Sequence, residues 1–292
     1  MTRWLVTGAG GMLGRELVAR LRQAGTEVTG LTRAELDITD PAAVRAALDG
    51  AAPDLVVNCA AWTAVDLAEA HEEQALAVNG GGAACLAAAC ARAGARMIQL
   101  STDYVFDGRA SQPYAEDAPT GPASAYGRTK LAGEQAVRRE LPGRSYVLRT
   151  AWLYGPGGAS FVRTMLRLER ERPTVSVVDD QHGQPTSTAV VADRIIALAA
   201  AGAPPGIYHA TCSGQTTWHG LAREVFRLTG ADPGRVLAVP SSEMTRPAPR
   251  PGYSVLAHGG WARAGLEPPS DWRAALAAAL PALSNATTSA RP

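Results

Sequence analysis

The run Thr7-Gly-Ala-Gly-Gly-Met-Leu-Gly14 limits what this chain can fold into more than any other stretch. It follows a short apolar segment, Trp4 to Thr7, and leads into Leu13, Leu17, Val18 and Leu21 at helical spacing. A strand, a glycine turn and a helix in that order open a βαβ unit. Gly8, Gly11 and Gly14 then have separate duties: a tight turn, close backbone approach to a pyrophosphate, and close contact between helix and strand. Free N–H groups at the helix start face the phosphates. An ordinary glycine turn is the plain alternative. The turn's position inside a βαβ pattern favours a dinucleotide.

Further strands are expected at 26–31, 55–58, 97–101 and 145–149. Helices are expected at 41–48, 72–93 and 125–139, the first capped by Asp40 with Pro41 in its opening turn. Strands alternating with helices at this spacing predict an α/β fold, a Rossmann-type doubly wound parallel sheet. After about residue 155 the alternation loosens. Helices at 161–171, 190–201, 221–228 and 272–280, with strands at 175–178, 206–211 and 236–239, predict a smaller, partly discontinuous C-terminal α/β domain. We expect residues 1–155 to bind the dinucleotide, 156–282 mainly to bind substrate with some segments returning to the first domain, and 283–292 to be a flexible tail.

Composition excludes some classes. Lys plus Arg number 28 and Asp plus Glu 27, a net charge of +1, which argues against a nucleic-acid partner. We see no apolar run of about 18 residues and no leader pattern at the start, so a cytoplasmic protein without a membrane partner is expected. The four cysteines form no CxxC and read as small apolar residues.

The end of the second strand bears on cofactor choice. A ribose-binding acid is expected there in NAD proteins. This chain has Gly30-Leu-Thr-Arg33, and Arg33 suits a 2′-phosphate. NADPH is therefore expected, with NADH tolerated. Solvation of Arg33 at the surface is the plain alternative.

The fourth strand ends in Gln99-Leu-Ser-Thr-Asp-Tyr-Val-Phe-Asp-Gly108, where parallel sheets bind ligands. Tyr126 and Lys130 are four apart and share one helix face. An ammonium near the phenol lowers the tyrosine pKa, so Tyr126 can protonate a carbonyl oxygen as hydride reaches its carbon. Thr102 can donate to the same oxygen. A surface Tyr and Lys on an amphipathic helix is the plain alternative.

These stretches resemble the extended short-chain dehydrogenase/reductases. More closely, the chain resembles the dTDP-4-dehydrorhamnose reductase family, through Asn58-Cys-Ala-Ala-Trp-Thr-Ala-Val-Asp66, Ser101 to Gly108, Tyr126 to Lys130, Arg149 to Gly155, Asp180 to Thr186 and Arg246-Pro247. The resemblance implies a catalytic set of Thr102, Tyr126 and Lys130. It implies cofactor contacts at Gly8, Gly11, Met12, Leu13, Gly14, Asp37, Ile38, Ala60, Ala61 and Thr63. It implies sugar contacts at Asp103, Val105, Phe106 and Trp152, with Gln184 and Arg246 at the nucleotide end. The implied reaction is reduction of the C4 ketone of dTDP-4-dehydro-β-L-rhamnose to dTDP-L-rhamnose. Some members hold Mg²⁺ through glutamates at a dimer interface. Glu16 stands where one would fall, but no Glu lies near Thr188 to Val191 or after Glu267. We therefore expect no metal, and a monomer or homodimer. Alternatives are another dTDP-4-keto-6-deoxysugar reductase, an epimerase or dehydratase of the superfamily, and a non-catalytic NADP-binding regulatory subunit.

Overall fold

The computed structural model describes residues 2–288. The chain begins with β1 (Trp4–Thr7), whose alternation sends Trp4 and Val6 to one core and Leu5 to another. Next come α1 (Met12–Gln23) and β2 (Val28–Leu31). Asp40 caps α2 (Pro41–Ala51) by accepting from Ala42 N and Ala43 N, as its sequence suggests. After β3 (Leu55–Asn58) comes α3 (Val65–Ala70), which was not anticipated.

The helix expected at 72–93 is not uniform. It comprises α4 (Glu72–Leu76), a π-helical stretch over Ala77–Gly82, and α5 (Ala83–Ala93). Gly82 lies against Ile38, where an added Cβ would come within 2.6 Å of Ile38 Cδ1. The stretch Glu72–Ala93 has the length and mean hydropathy, 1.3, of a membrane span, contrary to the expectation that no run qualifies. Half of its most apolar window is buried in the protein, as in a core helix.

β4 (Arg96–Thr102), α6 (Ala125–Glu140) and β5 (Ser145–Thr150) complete the alternation. The remainder comprises β6 (Leu153–Tyr154), α7 (Phe161–Glu171), β7 (Val175–Val178), β8 (His182–Gly183), β9 (Thr186–Ser187), α8 (Thr188–Ala200), β10 (Gly206–His209), β11 (Thr216–Thr217), α9 (Trp218–Leu228), β12 (Val236–Val239), α10 (Gly259–Arg263) and α11 (Trp272–Thr288). The main sheet is parallel, in the order β10-β5-β4-β3-β1-β2. Thus β10, from the second half of the chain, extends the first sheet.

Helices cover both faces. Leu17 and Leu21 of α1 pack with Val191, Ile195 and Leu198 of α8 on one face, and Val44, Leu86 and Val137 pack on the other. A third core gathers α7, α9 and α11 around Val177 and Val236 of the parallel pair β7 and β12. The last helix, expected to end at residue 280, runs on: α11 continues through Pro281 to Thr288, and Leu283 is buried in that third core. Residues 289–292 of the expected tail lie outside the described residues.

Candidate active site

The glycine turn leaves no room for side chains at two positions. Gly8 has φ +65°, and a Cβ there would lie 2.6 Å from Ala60 N. A Cβ on Gly14 would lie 2.3 Å from Gly8 O. Gly11 N donates to Gly8 O at 2.9 Å, and α1 starts at Met12 with no side-chain cap. Its first N–H groups are thus left for an anion, which fits a dinucleotide pyrophosphate. Met12 lies beside Gly158 of the second half. Ala60 and Ala61 are half-buried and Thr63 is exposed along the same rim.

Of the expected cofactor contacts, Leu13 packs its side chain with Trp4 and Leu17, and Ile38 packs beneath Gly82. Arg33 is exposed after β2. Asp37 accepts from Thr39 N and Oγ1, bonds that hold its carboxyl below the usual range, and the nearby Arg33 adds to that effect.

The catalytic candidates meet at the carboxyl end of β4. Thr102 ends that strand and Ser124 caps α6 by accepting from Gly127 N, which sets Tyr126 and Lys130 on its first turns. Lys130 Nζ is buried and donates to Leu100 O at 2.6 Å. Burial pulls its pKa down to about 8, against the opposing charge of Glu134. Tyr126 is half-buried and edges against Tyr104 with ring centroids 5.7 Å apart. Its phenol is pushed up to about 12 by burial and Asp103, while the Thr102 hydroxyl, within hydrogen-bonding reach, acts the other way. Desolvation, rather than the expected lowering by Lys130, dominates the phenol, and one of the three ammonium N–H groups goes to Leu100 O.

Thr102 Oγ1 donates to Asp103 Oδ1 at 3.0 Å and accepts from Tyr104 N at 3.2 Å. Asp103 is 2% exposed, its Oδ2 has no partner, and burial raises its pKa to about 6. Val105 and Phe106, expected at the sugar, are 0% and 2% exposed. Phe106 stacks on Tyr114 at 4.2 Å, so both belong to a small apolar cluster with Leu256. Gln184 is likewise a buried strut. It donates to Leu256 O and accepts from Leu256 N and Thr211 Oγ1.

Beyond Tyr104 lies a cavity of about 670 Å³ lined by Phe161, Met165, Gln181, Trp218, Arg246 and Arg250 among others. Trp152, at φ +46°, stacks on Trp218 at 3.5 Å with 8° between planes. One face of its ring is thereby occupied. Trp218, Gln181 and Tyr104 were not singled out from sequence. Asp66 closes the stretch that begins at Asn58. Its carboxylate lies 2.9 Å from Arg250 and 3.9 Å from Arg246, so two cations share one anion at the rim. Ala248 N also donates to Asp66, at 3.2 Å. Glu16, which stands where a family metal ligand would fall, pairs with Arg20 at 2.6 Å, and Arg20 pairs with Asp193 at the same distance.

The family model for the RmlD substrate binding domain matches residues 2–285. A dTDP-4-dehydrorhamnose reductase of Streptomyces griseus is 59% identical, over 96% of this chain and 94% of its own. The chain belongs to the dTDP-4-dehydrorhamnose reductase family. A dTDP-4-keto-6-deoxy-D-glucose reductase of Streptomyces niveus is 56% identical, over 96% of this chain and 97% of its own. Among solved structures, a dTDP-4-dehydrorhamnose reductase from Bacillus anthracis in complex with NADP has a TM-score of 0.92 and 34% identity. The match covers 96% of this chain and 98% of that one. The chain is an oxidoreductase of nucleotide-sugar biosynthesis with an NAD(P)-binding Rossmann fold, and its family reduces dTDP-4-keto-6-deoxysugars.

Proposed function

We propose that the chain reduces the C4 ketone of dTDP-4-dehydro-β-L-rhamnose with NADPH, giving dTDP-L-rhamnose. The observation that carries this reading is that Thr102, Tyr126 and Lys130 meet at the carboxyl end of β4, with Tyr126 edge-on to Tyr104, which lines the arginine-rimmed cavity. Residues 1–155 serve the cofactor and 156–282 mainly the sugar nucleotide, with α8 and β10 returning to the first sheet. NADPH supplies the hydride. Tyr126 gives its proton to the ketone oxygen, Lys130 orients the cofactor ribose, and Arg246 and Arg250 hold the diphosphate. The exposed Arg33 favours the 2′-phosphate. We take the enzyme to act in the cytoplasm, as a monomer or homodimer, without Mg²⁺.

A second reading is reduction of a different dTDP-4-keto-6-deoxysugar. The nearly equal identities of the two Streptomyces relatives favour keeping it. The test supplies several dTDP-4-keto-6-deoxysugars with NADPH or NADH, in EDTA or Mg²⁺, and identifies the product by NMR. Formation of dTDP-L-rhamnose supports the first reading. A product of another configuration supports the second. Cofactor binding without any turnover refutes both and favours a regulatory role.

A further inference from the structure

We propose that Asp66 is the positioning residue of the arginine rim: it seats residues 246–251 over the cavity and aims Arg246 and Arg250 at the substrate's diphosphate. The inference rests on the sugar-nucleotide reading and deepens it, since that reading uses the two arginines and leaves open what holds them.

The sequence of the rim explains why it needs an anchor from elsewhere. Arg246-Pro-Ala-Pro-Arg-Pro251 has a proline at every second position. Proline has no N–H, so the run can neither join a strand ladder on both sides nor close a helix. Among the described residues, Ala248 N finds no backbone carbonyl and donates to the Asp66 carboxylate instead, at 3.2 Å. Arg250 donates to the same carboxylate at 2.9 Å and to Ala248 O at 3.0 Å. One side chain thus holds both the main chain and a guanidinium. The far end of the run is set by Gly108, where an added Cβ would lie 2.5 Å from Pro251 Cβ.

Asp66 has a firm support of its own. It lies in the first turn of α3, whose Ala68 is buried in one cluster with Ala125 and Tyr126. Glu69, one turn further on, accepts from Ala125 N, the first residue of α6, at 2.8 Å. The anchor of the rim therefore belongs to the same packed unit as Tyr126.

The two arginines are committed to different degrees. The Arg250 side chain is 16% exposed and spends N–H groups on Asp66 and Ala248 O, with others left over. That of Arg246 is 55% exposed and lies 3.9 Å from Asp66, an ion pair too long for a hydrogen bond, so its donor fork is left for a diphosphate. Arg246, Ala248, Pro249 and Arg250 line the cavity, and Asp66 is not among the described residues that do. It acts through the arginines.

Calorimetric titration with dTDP tests the proposal without turnover. Asp66→Ala should weaken dTDP binding about tenfold, the equivalent of one lost charge-assisted anchor. KM for the ketosugar should rise by the same factor while kcat changes less than about twofold, with NADPH affinity and Tm as in the wild type. In a background of Arg246→Ala and Arg250→Met, adding Asp66→Ala should change dTDP affinity less than about twofold, because nothing is left to aim. A tenfold loss that persists in that background would make the role structural and overturn the proposal. Unchanged dTDP binding in Asp66→Ala would overturn it, and so would tighter binding, which would make Asp66 a competing anion. If Asp66→Ala fails to fold, Asp66→Asn carries the same comparisons, since it keeps an acceptor for Ala248 N and removes the charge that faces the arginines. A wild type that binds dTDP yet reduces no ketosugar would refute the reductase reading alone, whereas a wild type that binds no dTDP would overturn this proposal.

Discussion

Arg149→Met should destabilise the fold sharply, and adding Glu134→Gln should restore most of the loss. Arg149 and Glu134 are 2% and 3% exposed and pair through two bonds of 2.9 and 2.8 Å. Ser101 Oγ donates to the same carboxylate at 2.5 Å, and Arg149 also reaches Glu116 O and lies 4.9 Å from the Phe106 ring centre. Removing the guanidinium leaves a buried carboxylate with a single hydroxyl donor, which costs about 3–5 kcal/mol. That is a large part of a typical stability of about 5–15 kcal/mol. The double variant strands no carboxylate, although the Lys130 ammonium loses a favourable charge, and its amide still accepts from Ser101. The coupling should therefore be at least about 2 kcal/mol in favour of the double variant. Urea unfolding followed by circular dichroism measures all four corners, with constant slope as the check that only stability changed. A single-variant loss below about 1 kcal/mol, or a double variant as unstable as the sum of the singles, would refute this account. The pair also matters for the site, since Glu134 lies one turn beyond Lys130 and favours its charged form.

Tyr126→Phe should keep NADPH affinity and lower kcat by about 10²–10⁴-fold, and an unchanged kcat would remove Tyr126 from the chemistry. Gly14→Ala should abolish cofactor binding, because its Cβ would meet Gly8 O at 2.3 Å; isothermal titration reads this directly. Arg33→Ala should raise KM for NADPH more than for NADH, and equal effects would mean that Arg33 only faces solvent. His209 is buried and neutral, its pKa pulled down to about 3 by burial and by Arg149. A folded value below the unfolded one, about 6.5, contributes stability at neutral pH that is lost as pH falls from about 6.5 towards 3. The wild-type-minus-His209→Gln difference in unfolding free energy should show that slope, and a flat difference would argue against a buried neutral histidine.

The alternating strands and helices were legible because each has a local cause. β1 reads as a buried run followed by glycines whose missing Cβ atoms the turn requires, and α2 announces itself with Asp40 and Pro41. Elements fixed by distant partners were not legible. The π-helical stretch at Ala77–Gly82 looks like ordinary helix until Asn79 is seen turning its amide to Trp62 and Thr129. α11 passes a proline because Leu283 has a core to enter, and no local pattern records that core. The two-residue strands β6, β8, β9 and β11 are too short for any periodicity to show.

The site divides in the same way. Spacing alone puts Tyr126 and Lys130 on one face, and the strand end puts Thr102 near them. What spacing cannot say is which atoms are already committed. Gln184 has the chemistry to read a nucleotide, yet its amide is consumed by Leu256 and Thr211. Lys130 has the charge to lower a phenol, yet burial outweighs it at Tyr126, and one ammonium N–H goes to Leu100 O. Thr102 has a hydroxyl that can polarise a carbonyl, and here that hydroxyl donates to Asp103. A motif therefore supplies donors and acceptors, while burial and bond direction decide which are free at the moment of reaction.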